Sequence, residues 1–132
     1  MMSRRELREH IFRMLFRVEF HSEEELEEQL EQFLEESEPI SEEDESYIQN
    51  KYLQIKDKLT EVDSLIDSNT KGWKTNRMGK VDLAIIRLAV FEMKFDEDVP
   101  TGVAINEAVE LARKFGTDES PSFVNGVLAK IL

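Results

Sequence analysis

The sequence predicts an all-α protein: a compact single-domain bundle of about seven helices in two helical groups. Three observations carry this expectation. Apolar residues recur at i, i+3, i+4 and i+7 through most of the 132-residue chain, the spacing of a buried helical face. Serine followed by acids, the local signal of a helix start, separates several of these runs. Five glycines and three prolines are few for a β protein with many turns, while 40% hydrophobic and 35% charged residues fit a helical domain. A chain of this length buries a core without staples, so residues 1–132 are read as one domain.

The first helix is expected from about Ser3 to Phe20, with Leu7, Ile11, Met14, Leu15 and Val18 on its buried stripe. Ser22-Glu23-Glu24-Glu25 has the form of a capping box and opens a second helix with Leu26, Leu30, Phe33 and Leu34 inward. Ser37 to Pro39 breaks it. Ser41 then starts a long third helix carrying Ile48, Tyr52, Ile55 and Leu59, which Thr60 or Asp63 caps into a continuation with Val62, Leu65 and Ile66. Asn69-Thr70-Lys71-Gly72 is the main interior break, and Trp73 follows it.

Gly79 to Phe95 is the most apolar run, and a helix apolar on most sides is central in a bundle. Pro100 precedes the next helix, which carries Val103, Ile105, Ala108, Val109, Leu111, Ala112 and Phe115 and stops at Gly116. Ser120-Pro121 opens the last helix, with the serine oxygen as its cap. Gly126 lies inside that helix, where glycine costs about 1 kcal/mol relative to alanine. Close helix–helix approach is the expected reason for it. The core is expected to hold Leu7, Ile11, Leu15, Leu83, Ile86, Val90, Ile105, Val109, Val124 and Leu128.

Several classes of function are disfavoured. There is no cysteine, so disulfides and thiolate metal sites are excluded, and His10 and His21 are too few and too isolated for a metal centre. Glu107 and Glu110 share a helix face, but no histidine, serine–base pair or glycine phosphate loop accompanies them, so neither catalysis nor a cofactor is expected. No apolar run approaches the roughly 20 residues of a membrane span. No secretory signal follows the N-terminal arginines, and a cytoplasmic protein is inferred.

The net charge of −12 taken alone argues against nucleic acid, but the acids are unevenly placed. Val18 to Asn50 holds 14 acids and no lysine or arginine, whereas residues 1–17 hold five arginines against Glu6 and Glu9. Exposed charges are screened beyond about 10 Å, so the local field of the first helix governs phosphate contact. The acidic segment reads as a solvated face that also repels nucleic acid. Opposite the buried stripe of the first helix lie Phe12, Phe16 and Phe20, flanked by Arg5 and Arg13. Rings beside guanidinium groups suit single-stranded RNA, the bases stacking while arginines meet phosphates. The alternative is that the three rings simply pack. Arg87, in an apolar helix, either pairs with an acid such as Asp82 or Glu107 or reaches a phosphate. Phe123, near a helix start with free amides, either stacks on a base or enters the core.

Many of these residues fall into an ordered set. Val99-Pro100, Asn106-Glu107-Ala108, Lys114-Phe115-Gly116 and Phe123-Val124-Asn125-Gly126-Val127-Leu128 resemble the C-terminal signature of the NusB family of bacterial transcription antitermination factors. Arg5, Arg8-Glu9 and Leu15-Phe16 resemble the family's arginine-rich first helix. Trp73, Val81-Asp82, Ile86-Arg87-Leu88-Ala89 and Phe91-Glu92-Met93 resemble its central helix. The chain departs from the family at Pro121-Ser122, where many members carry a basic or polar residue before the phenylalanine.

The resemblance implies a non-enzymatic factor that binds boxA-type single-stranded RNA of ribosomal transcripts with NusE, a small-subunit ribosomal protein. RNA polymerase and other Nus factors would complete the assembly. With the basic cluster, it implies RNA contacts at Arg4, Arg5, Arg8, Arg13, Phe16, Arg87 and Phe123. NusE is expected on the later helical half, where residues 80–95 carry surplus apolar surface, with Glu92 as a contact. A homodimer through the first helix would hide its basic patch. The alternative is a helical protein–protein adaptor or dimerisation module without RNA binding.

Overall fold

The computed structural model describes residues 2–18 and 40–132. Among them there are six α-helices, one 3-10 turn and no strand. The helix expected from Ser22, the break at Ser37 and the ring of Phe20 lie outside the described residues. The chain forms two compact units, Met1–Lys56 and Asp57–Leu132.

In the first unit, α1 (Arg4–Val18) opens with a reciprocal capping box. The Glu6 N–H donates to Ser3 Oγ at 3.2 Å, and the Ser3 N–H donates to Glu6 Oε1 at 3.3 Å. Ser41 Oγ accepts from the Asp44 N–H and starts α2 (Glu42–Asp57). The buried Asp44 also accepts from the Met2 N–H at 2.8 Å, tying the start of α1 to the first turn of α2. Leu7, Ile11, Met14 and Leu15 are buried as expected, and so are Ile48, Tyr52 and Ile55 of α2.

The second unit holds α3 (Leu59–Asn69), a 3-10 turn at Thr75–Arg77, α4 (Lys80–Phe95), α5 (Thr101–Phe115) and α6 (Ser120–Ile131). The expected long third helix ends at Asp57, and Lys58 takes the position before α3 without a side-chain cap. Thr60 and Asp63 lie inside α3 and cap nothing. The two units therefore part here rather than at Gly72, because α3 packs on α4 and α6. Every residue from Leu83 to Glu92 is buried, and α5, α6 and α3 all pack on this helix. The apolar surplus of residues 83–92 is thus consumed in the interior, while Val81, Met93 and Phe95 at the two ends of the helix stay half-buried.

Two core assignments change. Ala104, Ala108 and Ala112 occupy the buried face of α5 with Leu111, while Ile105 and Val109 flank it half-buried. Gly126 is exposed, and a Cβ built on it meets nothing within 4 Å. Close approach therefore does not explain this glycine. Gly126→Ala is expected to preserve stability or raise it by up to about 1 kcal/mol. Thermal denaturation checks this, and a lowered midpoint would contradict an open helix face.

Candidate nucleic-acid interface

On α1 the arginines divide by exposure. Arg4, Arg5 and Arg13 are exposed, but Arg8 is only 8% exposed and lies on the inward side with Leu7 and Ile11. Phe12 is buried too, so at this position the packing alternative holds. The reason is the width of the buried arc, which spans well beyond the Leu7–Leu15 stripe. Phe16 remains half-buried, its ring 6.5 Å from that of Phe12 with a tilt of 39°. At about 100° per residue, Arg5, Phe16 and Arg13 fall on one flank. This flank carries cations and one partly open ring.

His10 borders the same helix surface and is half-buried. Burial depresses its pKa below 6.5, and Arg13 adds to the depression, while Glu9 and Glu6 partly oppose it. The folded state therefore favours neutral imidazole. The unfolded chain binds the proton first as pH falls, so this stability is present above pH 6.5 and is lost as pH drops through 6.5 towards the lowered value. The midpoint of the wild type should fall more between neutral pH and mild acid than that of His10→Asn. Parallel pH profiles in the two proteins would refute this.

In the second unit, Arg87 is engaged internally. Its Nε and Nη2 donate to the two carboxylate oxygens of Asp63 at 2.9 and 2.8 Å. This partner, Asp63 of α3, is an acid beyond the Asp82 and Glu107 that the sequence suggested. The guanidinium is thus held by a bidentate acid and removed from the surface. Glu92 is 2% exposed and lies within the buried run of α4, which leaves little surface for a partner.

The start of α6 also differs from expectation. Ser120 is the first helical residue and is buried. Its Oγ accepts from the Thr117 N–H at 2.9 Å, so it secures the preceding turn rather than capping α6. Pro121 sits in the first turn, as its missing amide allows. Phe123 is half-buried and meets Trp73 edge to face, with centroids 5.3 Å apart and planes at 71°. Trp73, legible in sequence as the residue after the main break and as part of the family resemblance, is 53% exposed.

Among the described residues, no group of three or more His, Cys, Asp or Glu side chains could hold a metal ion. No helix among them is long and apolar enough to cross a membrane.

Residues 5–132 match the NusB family. The chain is 55% identical over 131 residues to the transcription antitermination protein NusB of Lachnoclostridium phytofermentans, covering 99% of both chains. It is 58% identical over 129 residues to that of Agathobacter rectalis, covering 98% of each. Its structure is similar to T. maritima NusB, with a TM-score of 0.88 at 37% identity over 98% of this chain and 90% of the other. It is also similar to a crystal structure of antitermination factors NusB and NusE in complex with double-stranded RNA. There the TM-score is 0.81 at 25% identity, over 97% of this chain and 94% of the other.

Proposed function

The chain belongs to the NusB family, and from that premise we propose that it is a transcription antitermination factor binding boxA-type single-stranded RNA of ribosomal transcripts together with NusE. It acts as a scaffold in the cytoplasm, within an assembly of RNA polymerase and other Nus factors, and makes or breaks no bond. The family match over residues 5–132 supports reading the chain as one RNA-binding domain.

The observation that carries this reading is the exposed flank of α1. Arg5 and Arg13 stand exposed in a chain whose net charge is −12, with Phe16 half-open on the same flank and Arg4 exposed in the first turn. A polyanion has a reason to dock on such a local reversal of charge, and a partly open ring offers a base a surface. Arg8 and Arg87 contribute through the fold instead. The relative captured with NusE and double-stranded RNA supports NusE and RNA as partners. Support for NusE on the second unit comes from Val103, exposed on α5, and from an open groove of about 430 Å³ between Leu65 and Phe95.

A titration of boxA-type RNA at several salt concentrations tests the reading. Arg5→Ala and Arg13→Ala should each reduce the log–log salt slope by about 0.7. Phe16→Ala should weaken binding by roughly 1–3 kcal/mol with little change in slope. Unchanged affinity in all three folded variants would favour the adaptor reading, with α1 serving a protein or homodimer contact.

A further inference from the structure

Trp73 is the most exposed aromatic side chain among the described residues. A large ring left half in water asks for an occupant, and its surroundings specify one. From Ser68 to Val81 the chain carries Lys71, Lys74, Arg77 and Lys80 and no acid. All four cations are exposed. In a protein with twelve excess negative charges, this is a second local reversal of sign, separate in sequence from α1.

The loop is also built rather than loose. The Thr70 hydroxyl lies 2.8 Å from the Ile66 carbonyl and 2.7 Å from that of Trp73, with one proton to share between them. Gly72 takes φ +82, a left-handed turn that favours glycine, so the chain reverses just before the ring. Asp67 accepts from the Thr75 N–H at 2.8 Å and from its hydroxyl at 3.3 Å. The end of α3 thus anchors both sides of Trp73. Phe123 meets the ring edge to face, a contact that orients the indole while leaving 53% of the residue open.

We propose that Trp73 is a base-stacking platform for single-stranded RNA, with Lys71, Lys74 and Arg77 holding the flanking phosphates. This rests on the RNA-binding reading and adds a site on the second unit to it. Oriented rings among cations are the standard means of holding unpaired nucleotides, since every base has a face to stack and every linkage a charge. An apolar protein partner would have no use for four exposed cations in the segment that carries the ring.

Trp73 is the only tryptophan of the chain, so its emission reports this site alone. A labelled boxA-type RNA oligonucleotide is titrated into the full chain, with RNA anisotropy and tryptophan emission read together. The expected result is quenching of Trp73 emission in step with anisotropy. Trp73→Ala should bind about tenfold more weakly at an unchanged salt slope, and Trp73→Phe should regain most of the loss. Lys74→Gln and Arg77→Gln should each lower the slope by about 0.7. Circular dichroism melting checks that Trp73→Ala folds, and the wild-type emission needs no variant.

Anisotropy that rises with emission unchanged, and Trp73→Ala binding like wild type, would overturn the platform while leaving RNA binding to α1. No anisotropy change at all would remove both readings. An emission change on adding a tryptophan-free NusE in the absence of RNA, with none on adding RNA, would assign the ring to a protein contact and overturn the proposal.

Discussion

Asp63→Ala is expected to lower the unfolding free energy by up to about 3–5 kcal/mol, because it takes a bidentate carboxylate from a charged guanidinium inside the second unit. The Arg87 side chain is 8% exposed, and Asp63 supplies two acceptors to its fork. Arg87 cannot neutralise itself as a buried lysine would. Arg87→Ala should cost less, since the Asp63 carboxylate keeps 26% exposure and water can reach it. Replacing both, as Asp63→Leu with Arg87→Met, should be near neutral, because the pair's attraction mainly offsets its own desolvation. Chemical denaturation of the three variants measures the order. The double variant also separates structure from recognition. If it is folded and binds RNA with an unchanged salt slope, Arg87 is a strut between α3 and α4. If it is folded but has lost a phosphate's share of the slope, the arginine reaches RNA after all.

The same pair illustrates what the sequence made legible. The nearly unbroken apolar run from Leu83 to Phe91 marks α4 and its central position, and the ten residues from Leu83 to Glu92 are all buried. Arg87 stands out against that background, so its need for a partner was readable. The partner was not, because Asp63 lies 24 residues away and pairing between helices has no local spacing to betray it. Asp63 resembled a cap in a sequence that seemed to restart there. One hint was available: it adjoins Val62 and lies three residues before Ile66, both buried.

On α1, periodicity gave the direction of the buried face but not its width. The stripe through Leu7, Ile11 and Leu15 was correct, yet Arg8 and Phe12 lie one residue from it and are buried with it. Of the four arginines read as phosphate contacts on this helix, Arg4, Arg5 and Arg13 are exposed and Arg8 is buried. At Gly126 the propensity rule raised a sound question, and the structure offers no contact that answers it.

Gly116→Ala is the second change with a large expected effect, about 1–3 kcal/mol, near the upper end. The sequence located this glycine as the stop of α5, where the common reason is a left-handed backbone. The structure gives a different reason. Gly116 has φ −93 and ψ −165, which other residues adopt without strain. Space is the constraint. A Cβ there would lie 2.4 Å from Ser120 Oγ, 2.5 Å from Ser120 Cβ and 2.8 Å from the Ala112 carbonyl oxygen. None of these yields easily. Ser120 is 2% exposed and its Oγ holds the Thr117 N–H, while the Ala112 oxygen accepts from the Gly116 N–H. The turn must open, and α6 must shift at its start. Asn, which tolerates left-handed backbone, should therefore do no better than Ala. Ser120→Gly combined with Gly116→Ala removes two of the three clashes and should recover part of the loss, seen as coupling in a double-mutant cycle. The shift should also move Phe123 against Trp73, so the single tryptophan should change its emission in Gly116→Ala before any RNA is added. Stability retained in Gly116→Asn but lost in Gly116→Ala would return the explanation to backbone conformation.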